Sequence, residues 1–253
     1  MGYTSLESCL IDLEKIGQLV RIKDEVDPYL EMAAIHEAVY LEGGPALLFE
    51  KVKGSPFRAA SNIFGTIDRS RFLFRDTLEK VQQLIRIKND PSSILKNPFQ
   101  HLNSAFAALT ALPLKNPIQK PISFQEIQIQ DLPLIKHWPM DGGAFITLPQ
   151  VYSEDIDHPG IMRANLGMYR IQLSGNDYIL NKEIGLHYQI HRGIGVHQTK
   201  ANKKGKPLNV SIFIGGPPAH TVAAVMPLPE GLSEMTFAGL LAGRRFRYFY
   251  DQD

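Results

Sequence analysis

Leu6, Leu10, Leu13 and Ile16 recur at helical intervals and predict a first helix that Gly17 stops, with Thr4 and Glu7 spaced as its capping box. From Leu19 to Val26 apolar and polar residues alternate, the period of a strand. Asp27-Pro28 then leads into a second helical run near Leu30 to Leu41, closed by Gly43-Gly44. Ala46 to Val52 and Ala59 to Phe64 read as two further strands, and a long helix is expected from about Asp68 to Lys88, with a short one near Phe99 to Leu112. This mixture predicts an α/β or α+β unit over residues 1–115.

The Pro-, Lys- and Asn-rich stretch Pro113 to Pro121 reads as a connector, and beyond it the pattern turns to strands. These are Phe124 to Ile129, Ile161 to Leu173 and Asn209 to Ile214, interrupted by helices at Pro218 to Val225 and Ser233 to Ala242. Ser233 has the chemistry of an N-cap and Gly243 that of a stop. A β-rich second domain over 116–253 is the expectation. The aromatic ending Phe246 to Asp251 reads as a strand without a partner, which points to a fragment.

Composition narrows the function classes. With 253 residues, 44% of them hydrophobic, the chain can bury a core, and 27 basic against 26 acidic residues give no electrostatic case for a polyanionic partner. The Lys200 to Lys206 run reads as a solvated loop and, without interleaved aromatics, argues against nucleic acid. Cys9 is the sole cysteine, so no intrachain disulfide forms and it reads as core packing. No secretory leader and no apolar run long enough to span a bilayer is found, and a cytoplasmic setting is expected.

Several phrases recur together in one family. They are Glu42-Gly43-Gly44-Pro45-Ala46-Leu47-Leu48-Phe49-Glu50, Asn62-Ile63-Phe64-Gly65-Thr66, Asn165-Leu166-Gly167-Met168-Tyr169-Arg170, His191-Arg192-Gly193, Gly215-Gly216-Pro217-Pro218, and Met226 through Gly231. In order and approximate spacing the chain resembles the UbiD-type decarboxylases, which depend on prenylated FMN, from Leu6 to about Arg247. The resemblance implies an N-terminal α/β domain, then the first part of a split β-barrel that holds the flavin, the dimerisation domain lying beyond this chain. It implies decarboxylation of an aromatic or α,β-unsaturated carboxylic acid, with 3-polyprenyl-4-hydroxybenzoate in quinone biosynthesis the expected substrate. A flavin prenyltransferase would supply the cofactor, a lipid substrate would bring peripheral membrane association, and the full-length form would be a homo-oligomer.

The resemblance also assigns residues. Asn165 and a histidine would hold manganese beside the flavin phosphate, an oxygen-plus-imidazole set that suits this ion. His191 adjoins the matching Arg192-Gly193, while His187, one helical turn away, is the open alternative. Arg170 is the expected catalytic residue, since its permanently charged fork can pair with a carboxylate. Met168, Tyr169, Arg170, His187, Tyr188, Gln189, Arg192 and Gly193 are the expected flavin contacts, and the carbonyls of Ala223 to Met226 a site for potassium. Leu166 departs from the aromatic found there in some relatives. The third metal ligand and the catalytic glutamates are expected C-terminal to Asp253.

Other readings compete. A histidine pair at i, i+4 suits zinc, but Tyr188 stands where a zinc hydrolase needs its glutamate. A flavin-binding module without catalysis is the second alternative. His36, His101, His137 and His158 read as structural, whereas His197 and His220 fit either role.

Overall fold

A computed structural model describes residues 2–79, 81–82, 109–116, 125–226, 228 and 233–250. Helix α1 (Leu6–Lys15) buries Cys9, Leu10 and Leu13. Its cap is Ser5, whose hydroxyl accepts from Ser8 N while Ser8 Oγ accepts from Ser5 N, so the expected Thr4/Glu7 box lies one residue out of place. Strand β1 (Leu19–Val26), helix α2 (Glu31–Leu41) and strand β2 (Ala46–Val52) form a β-α-β unit in which the two strands run parallel. The antiparallel β3 (Ala59–Ser61) lies on the other side of β2.

The period-2 pattern of β2 sends its side chains to two cores. Ala46 and Leu48 pack with Cys9, Leu13 and Leu73, while Leu47 and Phe49 pack with Val26 and Met32. Burial pushes the Cys9 thiol up to about 12, the behaviour of an inert core residue.

The expected long helix is interrupted. Helix α3 (Ile67–Leu73), capped by Thr66, gives way to a turn at 74–77 before helical residues 78–79 and 81–82. Thr77 faces inward there and donates to Leu241 O at 2.7 Å. The rest of that expected helix, to Lys88, and all but the last residues of the Phe99 to Leu112 helix fall outside the described residues.

In the second half, strands are short and distributed over small sheets. They are β4 (Leu114–Lys115), β5 (Phe145–Ile146), β6 (Gln150–Ser153), β7 (Asn165–Gly167), β8 (Ile171–Gln172), β9 (Gly185–Leu186), β10 (Val210–Phe213) and β11 (Arg247–Tyr248). Sheet orders are β10-β6-β7, β5-β8-β9 and β11-β4, and no closed barrel is formed among the described residues. A mixed α/β fold stands, and the expected first part of a split barrel is represented among the described residues by these small open sheets. Helices α4 (Gly193–Lys203), α5 (Pro218–Ala223) and α6 (Glu234–Ala242) flank these sheets. Ser233 caps α6 and Gly243 ends it in the left-handed conformation, φ 59°, as read from the sequence.

Four expectations are corrected. Residues 125–128 are not a strand, and Ile129–Asp131 is a 3-10 turn. Ile161 to Leu173 is not one strand: residues 161–163 turn, and Met168 leaves the ladder because its N–H donates to Ala224 O at 3.1 Å. Lys200 to Lys206 is mostly the last turn of α4, whose lysines find acids: Lys200 pairs with Asp155 at 2.5 Å and Lys204 with Asp157. The aromatic C-terminal strand has a partner, since Arg247 and Tyr248 pair in parallel with Leu114 and Lys115.

The two halves touch. Gly2 N donates to Ala242 O at 2.8 Å. Leu166, Ala219, Ala223, Ala238 and Leu241 form the core between β7, α5 and α6. A second core of Val151, Tyr169, Ile171 and Ile194 lies under α4. Residues 165–170 therefore run between two cores.

Candidate cofactor and substrate site

Segment 165–170 carries polar groups at both ends. At the first, Asn165 Oδ1 accepts from Tyr169 Oη at 3.4 Å, while its Nδ2 is buried without a hydrogen-bond partner. Gly193, the first residue of α4, abuts this amide: a Cβ built there would lie 2.0 Å from Asn165 Oδ1. Glu234, in the first turn of α6, accepts from Leu166 N at 3.0 Å through Oε2. Burial raises its carboxyl above the usual range, backbone hydrogen bonds opposing the shift, and it has no ion pair among the described residues.

Glu234 was not singled out from the sequence, where the third ligand was expected C-terminal to Asp253. Its only signal was an acid in the first turn after an N-cap serine, which by itself marks a helix start. As placed, the unpartnered atom is the Nδ2 donor, which a cation does not satisfy, and the Glu234 carboxyl accepts from the backbone of the next residue, Leu166. Exchanging the amide O and N, an assignment made from hydrogen bonding alone, would turn the carbonyl oxygen into the unpartnered position. Among the described residues no three His, Cys, Asp or Glu side chains cluster as a metal site.

The two histidines part company here. Residues 187–189 have no regular secondary structure and 190–191 form a turn, so no helix aligns them. His187 belongs to the far end of the segment: its N donates to Arg170 O, and its Nε2 lies 3.1 Å from Gln172 Oε1. His191 is exposed, two residues before the glycine that abuts Asn165. Arg192, also exposed, is the N-cap of α4 and donates from Nε to Gln189 Oε1 at 3.3 Å. Tyr188 meets the ring of Tyr169 edge to face at 6.3 Å. Met168 packs with the core beneath α5 and α6.

At the other end, Arg170 donates from Nη1 to Asp141 Oδ1 at 2.9 Å and from Nη2 to Oδ2 at 2.6 Å. Its guanidinium lies over the Phe145 ring at 3.6 Å, and the same ring meets His187 at 5.5 Å. The Arg170 hydrogen bonds, with smaller help from Trp138 N, hold the Asp141 carboxyl below its ordinary range. Asp141 too was missed. It precedes Gly142-Gly143, which signals a turn and nothing about a partner 29 residues on.

The undecided histidines are both internal. His197 Nδ1 lies 3.0 Å from Ser153 Oγ, tying α4 to β6. His220 packs at a tilt against Phe246, ring centroids 4.1 Å apart, with Nε2 buried and unpartnered, and burial, reinforced by Arg244, lowers its pKa to about 4. A depressed histidine pKa means the unfolded chain binds the proton first, so stability is complete above pH 6.5 and falls toward pH 4. Between pH 7.5 and 5 this linkage removes about 2 kcal/mol. Urea unfolding at the two pH values measures it, and His220→Phe is expected to remove most of that difference.

Fold and site define a mixed α/β protein with an amide–carboxylate centre at one end of a short segment and an arginine–aspartate pair at the other. The profile described as 3-octaprenyl-4-hydroxybenzoate carboxy-lyase Rift-related domain matches residues 112–252, and that of the N-terminal domain of the same carboxy-lyase matches residues 10–88. This chain belongs to the UbiD family. A 4-hydroxybenzoate decarboxylase subunit from Chlamydia pneumoniae is 38% identical over 91% of this chain and 38% of the relative. An uncharacterized protein from Chlamydia caviae is 36% identical over 100% of this chain and 42% of its own length.

Among solved structures, the closed form of Sedimentibacter hydroxybenzoicus vanillic acid decarboxylase matches with a TM-score of 0.74 and 28% identity, covering 100% of this chain and 52% of that one. The UbiD-class enzyme HmfF from Pelotomaculum thermopropionicum, in complex with FMN, shares the fold with a TM-score of 0.75 at 24% identity, covering 98% and 51%. The chain thus spans about half or less of the length of these relatives. No helix among the described residues is long and apolar enough to cross a membrane.

Proposed function

We propose that this chain is the flavin-holding half of a carboxy-lyase that removes carbon dioxide from an aromatic acid of the hydroxybenzoate class. The observation that carries the proposal is the run 165–170, in which Asn165, and Leu166 N bonded to Glu234, lie at one end and the paired Arg170 five residues on. Relatives named for 4-hydroxybenzoate and vanillic acid support the substrate class. The polyprenylated acid expected from the resemblance, and with it a lipid partner, belongs to the same class and is separated by assay.

Asn165, Glu234 and His191 would hold manganese, which neutralises the dianionic phosphate of the flavin. His187, whose Nε2 lies 3.1 Å from Gln172 Oε1, would be the alternative ligand or a flavin contact. Prenylated FMN would supply the electron sink that no side chain provides. Tyr169, Tyr188, Gln189, Arg192, Gly193 and the backbone of Met168 would contact it. Ala224 O already accepts from Met168 N, so a potassium site would draw on its second lone pair and the neighbouring carbonyls. Arg170 would orient the substrate carboxylate. A flavin prenyltransferase as supplier and a homo-oligomeric full-length form complete the proposal.

The test is to produce the longest reading frame that contains this chain together with a flavin prenyltransferase. Visible spectrum, metal content and carbon dioxide release are then measured with 4-hydroxybenzoate, vanillate and a polyprenyl-4-hydroxybenzoate. Bound flavin, manganese and release from a hydroxybenzoate are expected. Bound flavin with no release from any acid would establish the non-catalytic module instead, and metal without flavin would overturn both readings.

Gly193→Ala probes the centre. The obstructing atom is the tip of the Asn165 side chain, which can swing away, so the fold is expected to survive while the amide is displaced. Manganese affinity should fall about 10- to 100-fold with little change in melting temperature, measured by metal titration and thermal unfolding.

A further inference from the structure

Arg170 has one feature that catalytic assignment leaves unexplained: one N–H of each Nη nitrogen is already committed. Asp141 takes one hydrogen bond from each, closing the end-on edge of the fork, and Phe145 covers one face of the guanidinium plane. Nε makes no hydrogen bond among the described residues, so the side-on edge, Nε–H with the neighbouring Nη2–H, remains open. About a third of the arginine side chain is exposed, against a tenth of the aspartate.

Asp141 is itself immobilised. Trp138 N donates to Oδ2 at 3.2 Å, and Asp141 N donates back to Trp138 O at 3.0 Å. The two glycines that follow let the loop press against the turn after β8. A Cβ on Gly143 would lie 2.0 Å from Ser174 O, and Ala144 N donates to Ser174 Oγ at 2.9 Å. Phe145 is held in register opposite Gln172 in the β5–β8 pair. A pair whose cationic member is this exposed adds little to folding. Its rigid seating is better explained by what it does to the arginine.

We propose that Asp141 is a positioning residue: it locks the guanidinium end-on against Phe145, so that a single substrate carboxylate docks on the side-on edge through Nε–H and Nη2–H. Asp141 stays in place when the acid binds, and its charge lowers the affinity for carboxylates in return for one fixed orientation. The inference rests on the decarboxylase reading for the identity of the ligand, whereas the lock itself requires no flavin and no turnover.

The experiment uses the full chain labelled with 15N-arginine, with the Arg170 signals assigned through Arg170→Lys, and benzoate as the probe. Wild-type protein is expected to give separate Nη signals that persist on titration, while the Nε–H signal shifts to saturation. Asp141→Asn should keep the folded amide dispersion, merge the Nη signals by free rotation, and bind benzoate roughly threefold tighter or more, one nearby negative charge having gone. Averaged Nη signals in the wild type, benzoate shifts at both Nη in place of Nε, an unshifted Nε, or an Asp141→Asn spectrum like the wild type would each overturn it. Failure of the carbon dioxide assay with the lock intact would count against the decarboxylase alone.

Discussion

Arg170→Ala in the longest reading frame is expected to lower kcat/KM for the aromatic acid by about 10²- to 10³-fold, the usual loss when a charge-assisted bidentate donor to a reacting carboxylate is removed. Arg170→Lys should recover only part, because an ammonium is a point charge with no fork to meet both carboxylate oxygens and no plane to lie on Phe145. Stability is a separate matter. The lost ion pair is partly exposed and the freed Asp141 keeps the Trp138 N–H, so the melting temperature should hardly move. Steady-state kinetics beside thermal unfolding distinguish this outcome from simple misfolding. A variant that retained wild-type turnover would remove Arg170 from the chemistry.

Phe49→Ala is expected to cost about 3–5 kcal/mol, enough to unfold a marginal domain. The ring is fully buried, at 0% exposure, in β2, and β2 is the middle strand of its sheet. Val26, Met32, Leu47 and Val52 surround it, and Val26 and Val52 are themselves fixed in register across the β1–β2 ladder, so the cavity has little freedom to collapse. Urea denaturation should give a lower midpoint with an unchanged slope. Leu41→Ala, at a side chain 72% exposed, is the control and should change stability by no more than about 0.5 kcal/mol.

These two positions differ in how far they could be read in advance. Phe49 lies in an apolar run bounded by Gly43-Gly44 and Gly54, and its burial follows from that pattern. The importance of Arg170 came from motif resemblance, because a strand-edge arginine is ordinarily a surface ion pair. Its partner, Asp141, is 29 residues away with three strands between, and nothing local points to it. Glu234 is 68 residues from the backbone N–H it accepts, and the sequence marked it only as the start of a helix.

The sequence by itself determined the elements whose stability is local: α1, β1, α2 and β2, where hydrophobic period and glycine stops agree over ten residues or so, and α6 with its serine and glycine ends. It also determined family membership, through phrases that hold their order along most of the chain. Only the tertiary structure decided the rest. Strands two to four residues long span only one or two alternations, too few to mark a strand, so their pairing is set by which backbone groups meet in space. Met168 N turns to Ala224 for that reason, and the expected single strand breaks there. The helical alignment of His187 with His191 fell by the same means, since four residues of spacing place two rings on one face only if the chain between them is helical.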